Sequence, residues 1–206
     1  MYKLMKKLIK KILKEELGGF EWLSPKNFKY TNQEILRLIT MDEVSEWIFG
    51  DEWSGDLNLV KSNIVSMGNL KRVYGNVNLS FSEIEDLSEL EYVSGNLRIH
   101  GTKNLKSLNK LKKVGGLLDI SRCDVKSLGG LKTVGDDIIM YGSKFKSFGS
   151  LRSVDGNIIM MNSEIEDIGD LSFVGGSIDM SRSKLKDRYT HDEIKDKVEI
   201  LGDLIM

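Results

Sequence analysis

Alternation of apolar and polar side chains with a period of two marks short strands along most of this chain. In residues 134–142, VGDDIIMYG, Ile138 and Met140 are two residues apart, so the pattern predicts that they point inward while Ile139 and Tyr141 face out. Similar stretches recur every 20 or 21 residues, as VYGNVNL, VSGNLRI, VGGLLDI, VDGNIIM and VGGSIDM. Such a period predicts a solenoid built from stacked coils.

Seven aligned copies define the predicted core. The copies start at Gly55, Gly75, Gly95, Gly116, Asp136, Gly156 and Gly176. Two residues after each start, the first inward column comprises Leu57, Val77, Leu97, Leu118, Ile138, Ile158 and Ile178. Two residues further on, the second comprises Leu59, Leu79, Ile99, Ile120, Met140, Met160 and Met180. Later in each copy the apolar residues recur every three positions, which favours tight turns over a long α-helix.

Two further columns indicate that the coils stack in register. Small residues occupy one of them: Ser62, Ser82, Thr102, Cys123, Ser143, Ser163 and Ser183. Their hydroxyl groups are expected to bond the backbone of a corner, and Cys123 is expected to be a buried small residue. The next column alternates in sign from Glu83 onward: Glu83, Lys103, Asp124, Lys144, Glu164 and Lys184. Opposite charges on neighbouring coils stabilise such stacking.

The outward strand positions of copies five and six are apolar, whereas most others are polar or small. Ile139, Tyr141, Ile159 and Met161 are therefore expected to form an exposed patch on adjacent strands. Contiguous exposed apolar residues often mark a partner contact, which we predict here, with Arg98 and His100 as its polar rim. The alternative is that these residues serve only the strand propensity of the sheet.

The segments LNLVKSNI at Leu57 and IDMSRSKL at Ile178 resemble the LxLxxNxL core of leucine-rich repeats, with Ser in place of the usual Asn. The preceding VxG spacing looks more like the short, helix-poor receptor L-domain variant. The resemblance covers about residues 54–186 and implies a binding scaffold without naming a partner. The alternative is a three-cornered β-helix, with a second corner at residues 68–69, 129–130 and 149–150.

The ends of the chain are predicted to be helical caps, which gives four segments. These are a basic amphipathic helix with a Gly-Gly hinge over 1–19, an N-terminal cap over 20–54, the seven-copy solenoid over 55–186 and a C-terminal cap over 187–206. Capping-box patterns begin at Thr31, Thr40 and Thr190. The last is expected to open a helix with Ile194, Val198 and Leu201 inward.

The first 17 residues, MYKLMKKLIKKILKEEL, place apolar residues on one helical face and lysines on the other. The helix is expected to pack on the N-terminal cap, to dock in a partner's groove, or to bind an anionic membrane surface. The leader also resembles short lysine-rich leaders of tailed-phage proteins, and residues 13–15, Leu-Lys-Glu, fit their short cleavage pattern. That resemblance implies a virion or host-interaction protein.

Basic residues are concentrated in the middle of the solenoid. Residues 95–155 contain twelve Lys or Arg and five Asp, a net charge of +7, although the whole chain carries −1. The repeat stacks them in two basic columns: Lys106, Lys126 and Lys146, and Lys112, Lys132 and Arg152. They form either a solvated face or a stripe for a polyanion or acidic partner. No aromatic ladder accompanies them, which makes nucleic acid the less favoured partner.

The remaining composition narrows the class of protein without naming its partner. One Cys and two His among 206 residues provide neither a zinc site nor a disulfide framework, and the lone thiol fits the cytoplasm. The sequence contains no catalytic motif, so we expect no enzyme activity and no cofactor. It predicts a mainly-β repeat solenoid with small helical caps that binds another protein through its exposed strand face.

Overall fold

A computed structural model of the chain describes residues 51–206. The predictions for the leader, for the capping boxes at Thr31 and Thr40 and for most of the N-terminal cap fall outside the described residues. The described part is a mainly-β solenoid, as predicted, whose coils of about 20 residues stack through parallel ladders.

Each coil contributes one short strand to each of two parallel sheets. Sheet A comprises β1 (Glu52–Ser54), β3 (Arg72–Tyr74), β5 (Tyr92–Val93), β7 (Lys113–Val114), β9 (Thr133–Val134), β11 (Ser153–Val154), β13 (Phe173–Val174) and β15 (Glu199–Ile200). Sheet B comprises β2 (Leu57–Asn58), β4 (Val77–Asn78), β6 (Leu97–Arg98), β8 (Leu118–Asp119), β10 (Ile138–Ile139), β12 (Ile158–Ile159), β14 (Ile178–Asp179) and β16 (Leu204–Ile205).

The core lies between the sheets and along the turns that close each coil. Every member of both predicted inward columns is buried, with at most 2% of its surface exposed. The residues spaced by three, such as Val125, Leu128 and Leu131, are buried as well. The period-two and period-three patterns therefore fill one continuous core.

Residues with a positive φ, the left-handed backbone conformation, recur at two places in the coils. One column of positive-φ residues contains Lys61, Phe81, Gly101, Arg122, Gly142, Asn162 and Arg182. The other contains Gly68, Ser88, Asn109, Gly129, Gly149 and Gly169, where the sequence predicts the second corner of a three-cornered coil. Isolated bridges such as Ser66 to Asp86 add a third place where coils pair.

A ladder of polar side chains, not foreseen from the sequence, joins successive coils between the two sheets. The Oδ1 atom of Asn76 accepts a hydrogen bond of 2.8 Å from the backbone N–H of Asn96, one coil later. The other acceptors in this ladder are Asp56, Asn96, Asp137, Asn157 and Ser177. Leu117 occupies the same place in the fourth coil and has no side-chain oxygen, so the ladder is interrupted there.

The C-terminal segment is a helix followed by an additional partial coil. A 3₁₀ turn, Lys184–Asp187, leads to α1, His191–Lys197, whose capping box joins Thr190 and Glu193 as predicted. The expectation that Leu201 points inward from this helix is wrong, because α1 ends at Lys197 and the Leu201 side chain is 66% exposed. Residues 199–206 instead supply the last strand of each sheet.

Candidate protein-binding face

The outer surface of sheet B places two isoleucines side by side. Ile139 on β10 and Ile159 on β12 are register partners, so their side chains project from the same face of adjacent strands. Both are half-buried. Asp119 and Asp179 are the register neighbours on either side, so the apolar pair is bounded by carboxylates along the sheet.

Ile139 and Ile159 stand where other coils carry a side chain that hydrogen-bonds the backbone. In the equivalent position, Asn78, Asp119 and Asp179 each accept a hydrogen bond from the backbone N–H two residues later, at 2.9 to 3.1 Å. Isoleucine has no acceptor, so the amides of Tyr141 and Met161 lack this bond. The coil therefore lacks a local hydrogen bond at the two positions where it presents apolar surface.

Tyr141 and Met161 follow the two isoleucines and extend the apolar surface toward the first corner. The Tyr141 side chain is 39% exposed, and the Arg122 guanidinium lies 5.7 Å from the centre of its ring. Met161 is half-buried beside it on the next coil. Tyr, Met and Arg are the residue types that concentrate in protein–protein interfaces.

The predicted polar rim lies on the other side of Asp119. Arg98 on β6 is the register neighbour of Asp119, and His100 Nδ1 lies 3.9 Å from Asp119 Oδ1. Arg98, like the isoleucines, provides no acceptor to the amide two residues later. Arg98 and His100 therefore lie on the same outer face as the isoleucine pair. The fourth coil, which carries Asp119, lies between them.

Phe81 is a further candidate that the sequence interpretation missed. Its side chain is 52% exposed, and its ring packs edge-on against His100, with 5.1 Å between ring centres. Its φ of 58° is unusual for a bulky residue. The sequence does contain one indication of its exposure: the equivalent residues of the other coils are glycine or polar, whereas this one is aromatic. We define the contact face as Phe81, Arg98, His100, Arg122, Ile139, Tyr141, Ile159 and Met161.

The basic columns form in register, but half of their members are paired. Hydrogen bonds from the Lys126 amide to the Lys106 carbonyl and from the Arg152 amide to the Lys132 carbonyl fix the stacking. Lys112 pairs with Glu91 at 2.8 Å, Lys146 with Glu166 at 3.2 Å, and Lys106 with Asp124 at 3.6 Å. Among the described residues, Lys126, Lys132 and Arg152 have no ion-pair partner.

The column of alternating charge, from Glu83 to Lys184, forms fewer ion pairs between neighbouring coils than the alternation predicts. Lys144 and Asp124 pair at 2.7 Å, and this hydrogen bond lowers the pKa of Asp124 below its usual value. Lys184 lies instead 4.0 Å from Glu166, which also pairs with Lys146 and Arg188. The Glu166 pKa is lowered, chiefly by the Lys146 hydrogen bond.

The small-residue column is buried throughout, but only one of its hydroxyl groups, that of Thr102, bonds the backbone as predicted. Thr102 donates to the carbonyl of Ile99 at 2.9 Å. The side-chain oxygens of the five serines in this column, in contrast, have no hydrogen-bond partner within the described part of the chain. The burial of Cys123 raises the pKa of its thiol, as expected for a small core residue rather than a reactive one.

Residues 51–206 contain no group of three or more His, Cys, Asp or Glu arranged to hold a metal ion. In the same range, no helix is both long and apolar enough to cross a membrane. Comparisons with family models, curated proteins and solved structures found no match to this chain.

Proposed function

We propose that this chain is a non-enzymatic scaffold that binds another protein through the contact face on sheet B. The observation that carries the proposal is the register pairing of Ile139 and Ile159 on the outside of the sheet, in place of the hydrogen-bonding Asn or Asp of other coils. Tyr141 and Phe81 add exposed aromatic surface on the same side. Aromatic and apolar anchors surrounded by polar residues are typical of binding hot spots.

The proposal is tested by affinity purification from native cells with three baits. The first is the full chain and the second is its Ile139→Asp/Ile159→Asp variant. The matched control, Thr133→Asp/Ser153→Asp, places two aspartates on adjacent strands of sheet A. We expect a protein retained by the full chain and by the control to be lost from the isoleucine variant.

A milder variant separates binding from folding. Tyr141→Ala removes a ring that is 39% exposed and lies outside the core, so the thermal unfolding midpoint should fall only slightly while the retained protein is reduced. Retention of the same protein by both the isoleucine variant and Tyr141→Ala would contradict the proposed face.

Polyanion or acidic-partner binding through the basic columns is the second proposal. It is supported by Lys132 and Arg152, which are adjacent, exposed and without an ion-pair partner among the described residues. Heparin retention should then fall steeply with salt and be weakened by Lys132→Gln/Arg152→Gln. A partner held by the contact face should instead be lost from the Ile139→Asp/Ile159→Asp variant and be retained by Lys132→Gln/Arg152→Gln.

Three finer assignments are also proposals, each supported by the sequence pattern alone. They are the leucine-rich-repeat likeness of the coils, membrane or partner binding by residues 1–17, and a phage virion or host-interaction role directed by that leader. The cytoplasm is the location we propose from the lone cysteine. An intact N-terminus in assembled particles, measured by mass spectrometry, would exclude cleavage of a phage-type leader.

A further inference from the structure

We infer that the partner segment on the contact face is an acidic stretch that also carries bulky apolar residues. This inference rests on the proposed function and adds the chemistry of the partner. The evidence is the distribution of charge and of backbone donors on the outer side of sheet B.

The arginines on this side have no carboxylate partner within the described part of the chain. Arg98, Arg122 and Arg182 form no ion pair among the described residues, and Arg122 instead lies over the ring of Tyr141. Guanidinium groups bind carboxylates through paired, charge-assisted hydrogen bonds. Three such groups along one face therefore favour an anionic partner.

The carboxylates on the same side are already engaged. Asp119 accepts from the Ser121 amide at 3.0 Å and lies next to His100, and Asp179 accepts from the Ser181 amide at 2.9 Å. One oxygen of each carboxylate is thus held by the backbone of its own coil. Among the described residues, the charged side chains on this side that have no hydrogen-bond or ion-pair partner are thus cationic.

Backbone donors add to the same preference. The amides of His100, Tyr141 and Met161 occupy the position that an Asn or Asp side chain satisfies in other coils, and here they have no such acceptor. These amides lie on the coils that carry the rim and the isoleucine pair. A partner that supplies carboxylate or carbonyl oxygens beside apolar side chains satisfies all three kinds of group.

The test is a display selection of random dodecapeptides on the immobilised full chain. We expect the recovered peptides to contain more Asp and Glu than Lys and Arg, together with Leu, Ile, Phe or Trp. They should not be retained by the Ile139→Asp/Ile159→Asp variant. For a recovered peptide, Arg98→Gln/Arg122→Gln should slow association about tenfold, because these cations attract the anionic partner. The matched control Lys113→Gln/Lys195→Gln removes two exposed cations from sheet A and helix α1, away from the contact face and the basic columns, and should leave it unchanged.

The outcomes distinguish this inference from the proposed function. Peptides that require the isoleucines but are neutral or basic, or that bind equally after Arg98→Gln/Arg122→Gln, overturn the acidic partner and leave the contact face standing. A selection that yields no peptide dependent on Ile139 and Ile159 overturns both. If oligothymidine binds through Arg98 and Arg122 while the acidic peptides do not, the ligand is a nucleic acid and the inference is wrong.

Discussion

At the scale of single residues, the polar ladder between the coils is interrupted at Leu117. Asn96 accepts from the Leu117 amide, but Leu117 provides no oxygen to the amide of Asp137 in the next coil. We expect Leu117→Asn to continue the ladder and to raise the free energy of unfolding by about 1 kcal/mol, the usual value of one such bond. Thermal and urea unfolding measure the change.

Leu117→Ala is the control for this prediction, because it removes the same apolar side chain without adding an acceptor. The asparagine variant should be more stable than the alanine variant. Equal stabilities would show that the bond does not form or contributes nothing.

Phe81 combines an exposed ring with a left-handed backbone conformation. Its replacement should therefore keep or raise stability but weaken binding. Phe81→Asn places there the residue type found at Asn162 in the same column. Since a left-handed conformation costs a bulky residue about 1 to 2 kcal/mol, the free energy of unfolding should stay level or rise. Partner retention should fall, because an aromatic contact is lost.

Chemical denaturation and affinity purification are the two measurements for Phe81→Asn. A large loss of stability would show that the ring serves the fold rather than binding. Unchanged retention at unchanged stability would place Phe81 outside the contact face.

At the scale of elements, helix α1 depends on its capping box. Thr190 Oγ1 accepts from the Glu193 amide at 3.3 Å, and a Glu193 carboxylate oxygen accepts from the Thr190 amide at 2.8 Å. Thr190→Ala should cost about 1 kcal/mol. Because α1 immediately precedes β15 and β16, hydrogen exchange of their amides should accelerate. Thr190→Ser, which keeps the hydroxyl, is the control, and equal exchange in both variants would contradict the prediction.

Ion pairs between coils predict an acid-sensitive solenoid. Hydrogen bonds from Lys112, Lys144 and Lys146 lower the pKa values of Glu91, Asp124 and Glu166, respectively. A carboxyl group with a lowered folded pKa contributes stability above its unfolded pKa and loses it as the pH falls through the folded value. The unfolding midpoint should therefore decrease below about pH 4.5, the ordinary upper value for these groups.

The size of this acid effect is limited, because these pairs are exposed and salt screens them. Glu166→Gln removes one carboxylate that contacts three cations, so the variant's midpoint should depend less on pH than that of the unsubstituted chain. Identical pH profiles would show that this cluster contributes nothing. Glu85→Gln, which alters an exposed carboxylate without an ion pair among the described residues, is the matched control.

The sequence predicted the inward columns, because the period of two and the 20-residue repeat together fix which residues meet in the core. It missed the eighth coil, since α1 separates Gly176 from its equivalent Gly202 by 26 residues. It also missed the polar ladder and the exposure of Phe81. The ladder depends on where backbone amides lie, and the exposure of Phe81 depends on where the chain turns. The hydrophobic pattern reports neither.

At the scale of the whole molecule, a solenoid of near-identical coils should tolerate the loss of one coil. Each coil contacts mainly its neighbours, so stability is approximately a sum over coils and interfaces. Deleting residues 136–155 joins Gly135 to Gly156 and keeps the repeat in phase. We expect a folded protein whose urea m-value falls by about one tenth, because 20 of 206 residues are removed and m follows the surface buried.

Two deletions of one coil each distinguish an effect of solenoid length from an effect of the contact face on partner binding. Deletion of residues 136–155 removes Ile139 and Tyr141, so Ile159 stacks on Asp119 and the partner should be lost. Deletion of residues 116–135 removes a coil of equal length, with Arg122, but keeps Ile139 beside Ile159, and it brings Arg98 next to that pair. The second variant should retain the partner if the isoleucine pair is its main anchor. Loss of the partner from both folded variants would show that binding requires the unbroken face from Phe81 to Met161.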